Sequence, residues 1–155
     1  MKKLIIVAFI LVFILAGSSI RGQTLKSGEA VIFLNNGDRV IGEIEDISSR
    51  RLVLELKDGT EIKLSDIWMI NFINQQWHFP QEIASVKTPH HYLFLRDGNM
   101  TFGKIVDFST NRRVFELDTG EEVKFGAITR IYFTNRVPPN FKIAVPPKKV
   151  KIRKR

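Results

Sequence analysis

The chain has 155 residues, with 24 Lys plus Arg against 16 Asp plus Glu, a formal net charge of +8, and no cysteine. The lack of cysteine excludes a disulfide scaffold, a thiolate metal site, a cysteine nucleophile and lipid attachment through a thiol. The positive charge does not point to a nucleic-acid-binding face, because the excess sits at the two ends. Between Gln23 and Phe141 the acids outnumber Lys plus Arg, 16 to 14, whereas such a face needs basic residues gathered on the folded surface.

Met1-Lys2-Lys3 is followed by an uninterrupted apolar run from Leu4 to Ala16 and then by Gly17, Ser18 and Ser19. A positive start, an apolar middle and small residues at Ala16 and Ser18 form the pattern of a secretory signal peptide. Residues 1–23 are therefore expected to be a signal helix, or an N-terminal anchor if it is not cleaved. The uncharged stretch ends at Arg21, slightly short of the roughly 20 apolar residues that span a bilayer comfortably. Either way the body is expected outside the cytoplasm, in the periplasm or cell envelope.

Val31 to Asn74 aligns without a gap with Tyr92 to Asn135, and 18 of the 44 paired positions are identical. Among them are Gly37/Gly98, Gly42/Gly103, Asp46/Asp107, Ser48/Ser109, Arg51/Arg112, Glu55/Glu116, Gly59/Gly120 and Lys63/Lys124. Such self-similarity marks a duplicated module. The expected units are residues 24–75 and 90–136, joined by a connector over 76–89. Each is small for independent stability, so the two are expected to pack together.

Within each copy, Asn36-Gly37, Asp58-Gly59, Asp97-Gly98 and Thr119-Gly120 separate short runs rich in Val, Ile, Leu and Phe, which is a hairpin signal. A three-residue loop at Lys57-Asp58-Gly59 pairs Leu54 with Ile62 and gives one coherent apolar face. A two-residue loop would oppose Leu54 to Lys63, because a slip of one residue flips every side chain. Copy one then reads as strands at 30–34, 39–46, 52–56, 60–64 and 68–73. Gly42 and Gly103 interrupt the longest strand, where a bend or bulge is expected.

Asp46-x-Ser48 and Asp107-x-Ser109 read as turn residues bonding their own backbone. On the outer face Glu55 is expected to meet Lys63 diagonally, and Glu116 to meet Lys124. Charge is reversed between the copies at Glu43/Lys104 and Lys57/Asp118. That reversal suits a heterologous contact between neighbours better than an isologous one.

The run of an apolar strand, Asn-Gly, Gly-x-Ile-x-Asp, Leu-x-Leu, Asp-Gly, Ile-x-Leu and Ile-x-x-Ile-x-Phe resembles the Sm-like and SH3-like small β-barrels, and most of all exported bacterial tandem-repeat proteins of unknown function. The resemblance implies an all-β chain of two tandem five-stranded small barrels. The RNA-binding signatures of Sm-like loops are absent: the matching segments read Ser48-Ser49-Arg50-Arg51 and Ser109-Thr110-Asn111-Arg112.

The connector carries Trp77, His78 and Phe79, three rings outside a strand pattern. They are candidate ligand-facing anchors. The competing and stronger reading is a plug between the two packed units. His90 and His91 adjoin on an extended chain and point to opposite sides, so with His78 they make no convincing metal site. The end of the chain, residues 137–155, has two Pro-Pro pairs and six basic residues among its last eight. It is expected to be an extended tail without a core of its own. Lys148, Lys149, Lys151, Arg153, Lys154 and Arg155 either contact a polyanion or merely solubilise the end. No nucleophile elbow or phosphate-cradling glycine loop is present. The expectation is a non-enzymatic envelope interaction or scaffold module without a cofactor or metal. Its expected partner is an envelope protein, an anionic envelope polymer or a membrane surface, rather than nucleic acid or a small-molecule substrate. The alternative is a polyanion or nucleic-acid binder working through the basic tail.

Overall fold

The computed structural model describes residues 25–73 and 79–142. The leader, Trp77, His78 and the basic cluster from Lys148 to Arg155 lie outside the described residues. Among those described, no helix is long and apolar enough to cross a membrane.

Copy one forms β1 (Glu29–Leu34), β2 (Arg39–Ser48), β3 (Val53–Leu56), β4 (Glu61–Lys63) and β5 (Ile67–Asn71). After α1 (Phe79–Ser85), copy two forms β6 (His91–Leu95), β7 (Met100–Gly103), β8 (Ile105–Ser109), β9 (Val114–Leu117), β10 (Glu122–Lys124) and β11 (Ile128–Tyr132). The hairpin register follows the apolar face: Leu54 lies opposite Ile62, and Phe115 opposite Val123. Gly59 and Gly120 close the loops at φ of +85° and +83°, in the left-handed region that a side chain penalises.

The long second strand bends where the glycines stand. A Cβ on Gly42 would lie 2.7 Å from Leu56 Cδ1, and one on Gly103 would lie 3.2 Å from Leu117 Cβ. In copy two the strand breaks at Lys104 into β7 and β8. In both copies the register slips just beyond, between Ile44 and Asp46 and between Ile105 and Asp107. Asp46 and Asp107 are thus strand residues beside a bulge, not turn residues. Ser48 does serve its turn, accepting the Arg51 amide at 3.3 Å.

Each copy orders its strands with the fifth beside the first, the first beside the second, and the third and fourth following. The chain is predominantly β, in a curled antiparallel sheet. All eleven strands belong to one sheet. The cause is edge satisfaction: each copy leaves its fifth strand and the end of its second strand open, and the other copy offers the same open edges. β5 pairs with β11 through Ile70 opposite Ile131, which are themselves equivalent residues. β2 meets β8 through Ser48 opposite Asp107, a register centred on the equivalent Ile47 and Phe108.

The copies therefore meet isologously, about a pseudo-twofold, and the expected heterologous contact is replaced. The reversed charges have near partners inside their own copies. Glu43 Oε1 binds Lys57 Nζ at 2.7 Å, while Asp118 Oδ1 accepts the Lys104 amide at 2.8 Å.

Two clusters flank the sheet. Ile32, Ile47, Leu54 and Ile70 share one core with Leu93, Phe108, Phe115 and Ile131 of the other copy. On the opposite face Val31, Phe33, Trp68, Met69, Tyr92 and Tyr132 are covered by Phe79 of α1 and by Phe141. Burial on both faces explains why Val31 to Leu34 reads as a continuous apolar run where a half-exposed strand would alternate. The expected coreless tail is corrected at its start. Phe141 lies 4.5 Å from the Trp68 ring and 5.2 Å from that of Phe33, centroid to centroid, so the chain after copy two docks before its basic end.

Candidate functional site

Phe79, a candidate anchor in the sequence, has no exposed surface. It closes the second core, and the Arg130 guanidinium lies 4.9 Å from its ring centre. Sequence reasoning missed the charged group beside it. Glu82 of α1 accepts both Nε and Nη2 of Arg130, at 2.5 and 2.6 Å, and the Tyr132 hydroxyl at 2.8 Å. Burial, together with the Glu82 carboxylate, pushes the Tyr132 phenol upward and keeps it protonated. Arg130 is 1% and Glu82 7% exposed. The group is a closed network that pins α1 to β11 and leaves no reactive atom open.

His91 Nδ1 accepts the Ile105 amide at 3.0 Å and its ring lies 4.6 Å from that of Phe133. Burial pulls its pKa down to about 4. Among the described residues no three His, Asp or Glu side chains are grouped to hold a metal ion. Glu55–Lys63 and Glu116–Lys124 are diagonal neighbours as expected, but the expected contacts between them are corrected. The register places Glu55 opposite Glu61 and Glu116 opposite Glu122, and a like-charged pair needs a cation between its members. Arg51 donates to Glu55 at 3.0 Å and to Glu61, and Arg112 donates to Glu122 at 2.6 Å and to Glu116. Lys63 and Lys124 are left without an ion pair among the described residues.

The freed Lys124 helps to line a cleft of about 900 Å³ at the junction of the copies. One wall belongs to copy two: Arg96 from the β6–β7 turn, Arg113 from the β8–β9 turn, Lys124, and the short turn Phe125–Ala127. The facing wall belongs to copy one and carries Glu29 and Glu43. Phe72, whose ring lies 4.9 Å from that of Phe125, closes the floor.

Two of the cationic side chains are held by fixed contacts. Arg96 Nε donates to the Gly126 carbonyl at 2.7 Å, which leaves the rest of its guanidinium without an ion pair among the described residues. Arg113 sits at φ +51°, stacks 4.3 Å from the Phe125 ring centre and approaches Glu43 at 3.7 Å. The acids opposite also have partners in their own copy: Glu29 accepts the Lys26 amide at 2.8 Å, and Glu43 holds Lys57. The Glu43 carboxyl is held below its ordinary range, first by the hydrogen bond from Lys57.

The same framework exists in copy one with different occupants. Asn35 donates to the Ser65 carbonyl at 2.8 Å, the counterpart of the Arg96 bond, and Leu52 stands at φ +55° where copy two has Arg113. Asp66 stands where copy two has Ala127. Three substitutions on one wall thus each move the local charge in the positive direction on an unchanged backbone. Two identical copies of the signals in sequence gave no reason to single out these positions, since none of them is shared. Comparison of the chain with protein-family models, with curated proteins and with solved structures found no match.

Proposed function

We propose that the protein is a non-enzymatic, exported interaction module of the cell envelope, and that each copy is a five-stranded unit of the SH3-like or Sm-like kind. The strand order with the fifth strand beside the first, and the second strand bent at Gly42 or Gly103, supports the unit. The apolar leader supports export. One observation carries the binding reading: on one wall of the junction cleft Arg96, Arg113 and Ala127 stand where copy one has Asn35, Leu52 and Asp66, three changes toward positive charge beside the shared Lys124. A charge change in one direction on an open concave surface is what a binding site requires and a purely structural surface does not. The partner is an envelope protein, an anionic envelope polymer or the membrane surface.

Affinity capture from native envelope fractions, using the chain carrying a C-terminal tag, tests the reading. A reproducible partner that is lost when Arg96 and Arg113 are replaced together supports it. If capture instead depends only on Lys148 to Arg155, function belongs to the basic end, and if nothing envelope-derived is retained the module reading falls.

A further inference from the structure

We infer that the junction cleft is a site for a single phosphate group carried on an envelope molecule, gripped by Arg96, Arg113 and Lys124. This rests on the binding-module reading and gives it a ligand chemistry. Arg96 and Arg113 from two turns and Lys124 from the end of β10 face one space, with Lys26 and Arg112 also on its lining. A carboxylate is satisfied by one forked guanidinium, whereas the several oxygens of a phosphate take charged donors from several directions. Two of the three are steered by fixed contacts, Arg96 by the Gly126 carbonyl at 2.7 Å and Arg113 by the Phe125 ring at 4.3 Å. Lys124 carries no competing carboxylate among the described residues, because Arg112 has taken both acids of its hairpin. Phe72 and Phe125 supply an apolar floor against which the carrier of the phosphate can rest.

The facing wall sets the limit on what enters. Glu29 and Glu43 stand there beside the single cation Lys26, so the cleft suits an isolated anionic group better than a chain of them. That disfavours nucleic acid. A polymer or lipid bearing one phosphate per unit is the fitting source.

The test uses the full chain, with inorganic phosphate and a soluble sugar phosphate as probes and amide chemical shifts as the readout. Saturable shifts at Arg96, Arg113 and Gly126 are expected. The variant R96N/R113L/A127D writes the copy-one residues into copy two and is expected to bind about tenfold more weakly or worse. It should fold normally, because copy one already holds these residues on the same backbone. Lys124→Ala, an exposed change that cannot unfold the chain, is expected to weaken binding by less.

Equal affinity in the triple variant, or shifts scattered without saturation, would overturn the site. Acetate competing as well as phosphate would overturn the phosphate assignment, and so would an oligonucleotide binding more tightly than the sugar phosphate. Vesicles of phosphatidylglycerol, compared with phosphatidylcholine, separate a lipid source from a soluble one. Vesicle binding that survives the triple variant counts against the cleft. If phosphate fails while envelope capture persists, only this assignment falls. If phosphate binds while capture fails, the cleft stands and the module reading falls.

Discussion

The two copies agree most closely where a copy must hold itself together and diverge where it meets something other than its twin. Arg51 and Arg112 each bridge two carboxylates, and Gly59 and Gly120 adopt the same left-handed turn. On the outer face the agreement ends. Copy one places Trp68, Met69 and Asn71 where copy two places Thr129, Arg130 and Tyr132. A single helix cannot serve both halves of a twofold at once, so α1 recruits Arg130 and Tyr132, and Phe141 settles against Phe33 and Trp68. The duplication gives the frame, and the symmetry breaking gives the frame two different sides.

The severest way to break the comparison is to separate the copies. Residues 24–136 are expected to unfold in one transition, and fragments 24–75 and 90–136 to be largely unfolded alone. Each fragment would expose the open edge of its fifth strand and half of the shared core. A dispersed amide spectrum with a sharp melt from either fragment would contradict this and make the copies independent.

Next in size is the buried network that only copy two possesses. Arg130→Met, which writes in the copy-one residue Met69, strands the Glu82 carboxylate and is expected to cost about 3 to 5 kcal/mol. Glu82→Leu combined with Arg130→Met is expected to recover most of that, because a well-packed apolar pair replaces a buried ion pair at little loss. Urea titration of the single and double variants measures both. A single variant as stable as wild type would mean that α1 is not held by this pair.

His91 stands where copy one has the buried Ala30. Its pKa falls from 6.5 to about 4 because burial disfavours the charged ring. The neutral form is therefore favoured by folding. Above pH 6.5 both states are neutral and nothing changes. As the pH drops from 6.5 toward 4, the unfolded chain takes up a proton that the folded chain refuses, and stability declines by about 3 kcal/mol at the lower end. His91→Ala removes this slope while losing the acceptor of the Ile105 amide, at about 1 kcal/mol at neutral pH. Melting curves at several pH values distinguish the two effects.

The hairpin corners are expected to respond alike. Gly59→Val and Gly120→Val should each cost about 1 kcal/mol through their positive φ alone, since nothing lies near an added Cβ at either position. Unequal losses would show that one corner carries a contact the other lacks.

The strands, the loop length at Asp58-Gly59 and the bend at Gly42 were legible in the sequence, because local turn chemistry and apolar alternation decide them. The union of the copies was not. Edge pairing through Ile70 and Ile131 depends on where the sheet curls, and no residue of β5 announces it. The left-handed Leu52 and Arg113 were equally hidden, because residues with side chains at positive φ carry no sequence signal. The cleft escaped for a related reason. Of its cations, Arg96 and Arg113 stand at positions that differ between copies, while the internal repeat draws the eye to those that match, such as Lys124. Arg51 and Arg112 were visible as shared residues, yet their task was not, although the register pairing Leu54 with Ile62 already opposes Glu55 to Glu61: the arginines reach those acids from the preceding turn, which the strand pattern does not show.

The smallest expected effect lies in the reversed charge pair, and it tests whether the copies are interchangeable in detail. The Glu43 carboxylate binds Lys57 at 2.7 Å, and Asp118 binds the Lys104 amide at the matching place. Glu43 titrates below the ordinary 4.5, chiefly because of the Lys57 hydrogen bond. A carboxyl whose folded value is depressed contributes stability above its unfolded value, and that contribution fades as the pH falls through the lowered folded value. Glu43→Lys alone should destabilise slightly at neutral pH, placing two ammonium groups and the Arg113 guanidinium together. Glu43→Lys with Lys57→Asp, which copies the Lys104 and Asp118 arrangement, should restore the melting temperature at neutral pH. If the double variant stays as unstable as the single one, the Arg113 contact at 3.7 Å matters more than the hairpin pair, and Glu43 belongs to the wall of the cleft before it belongs to its own copy.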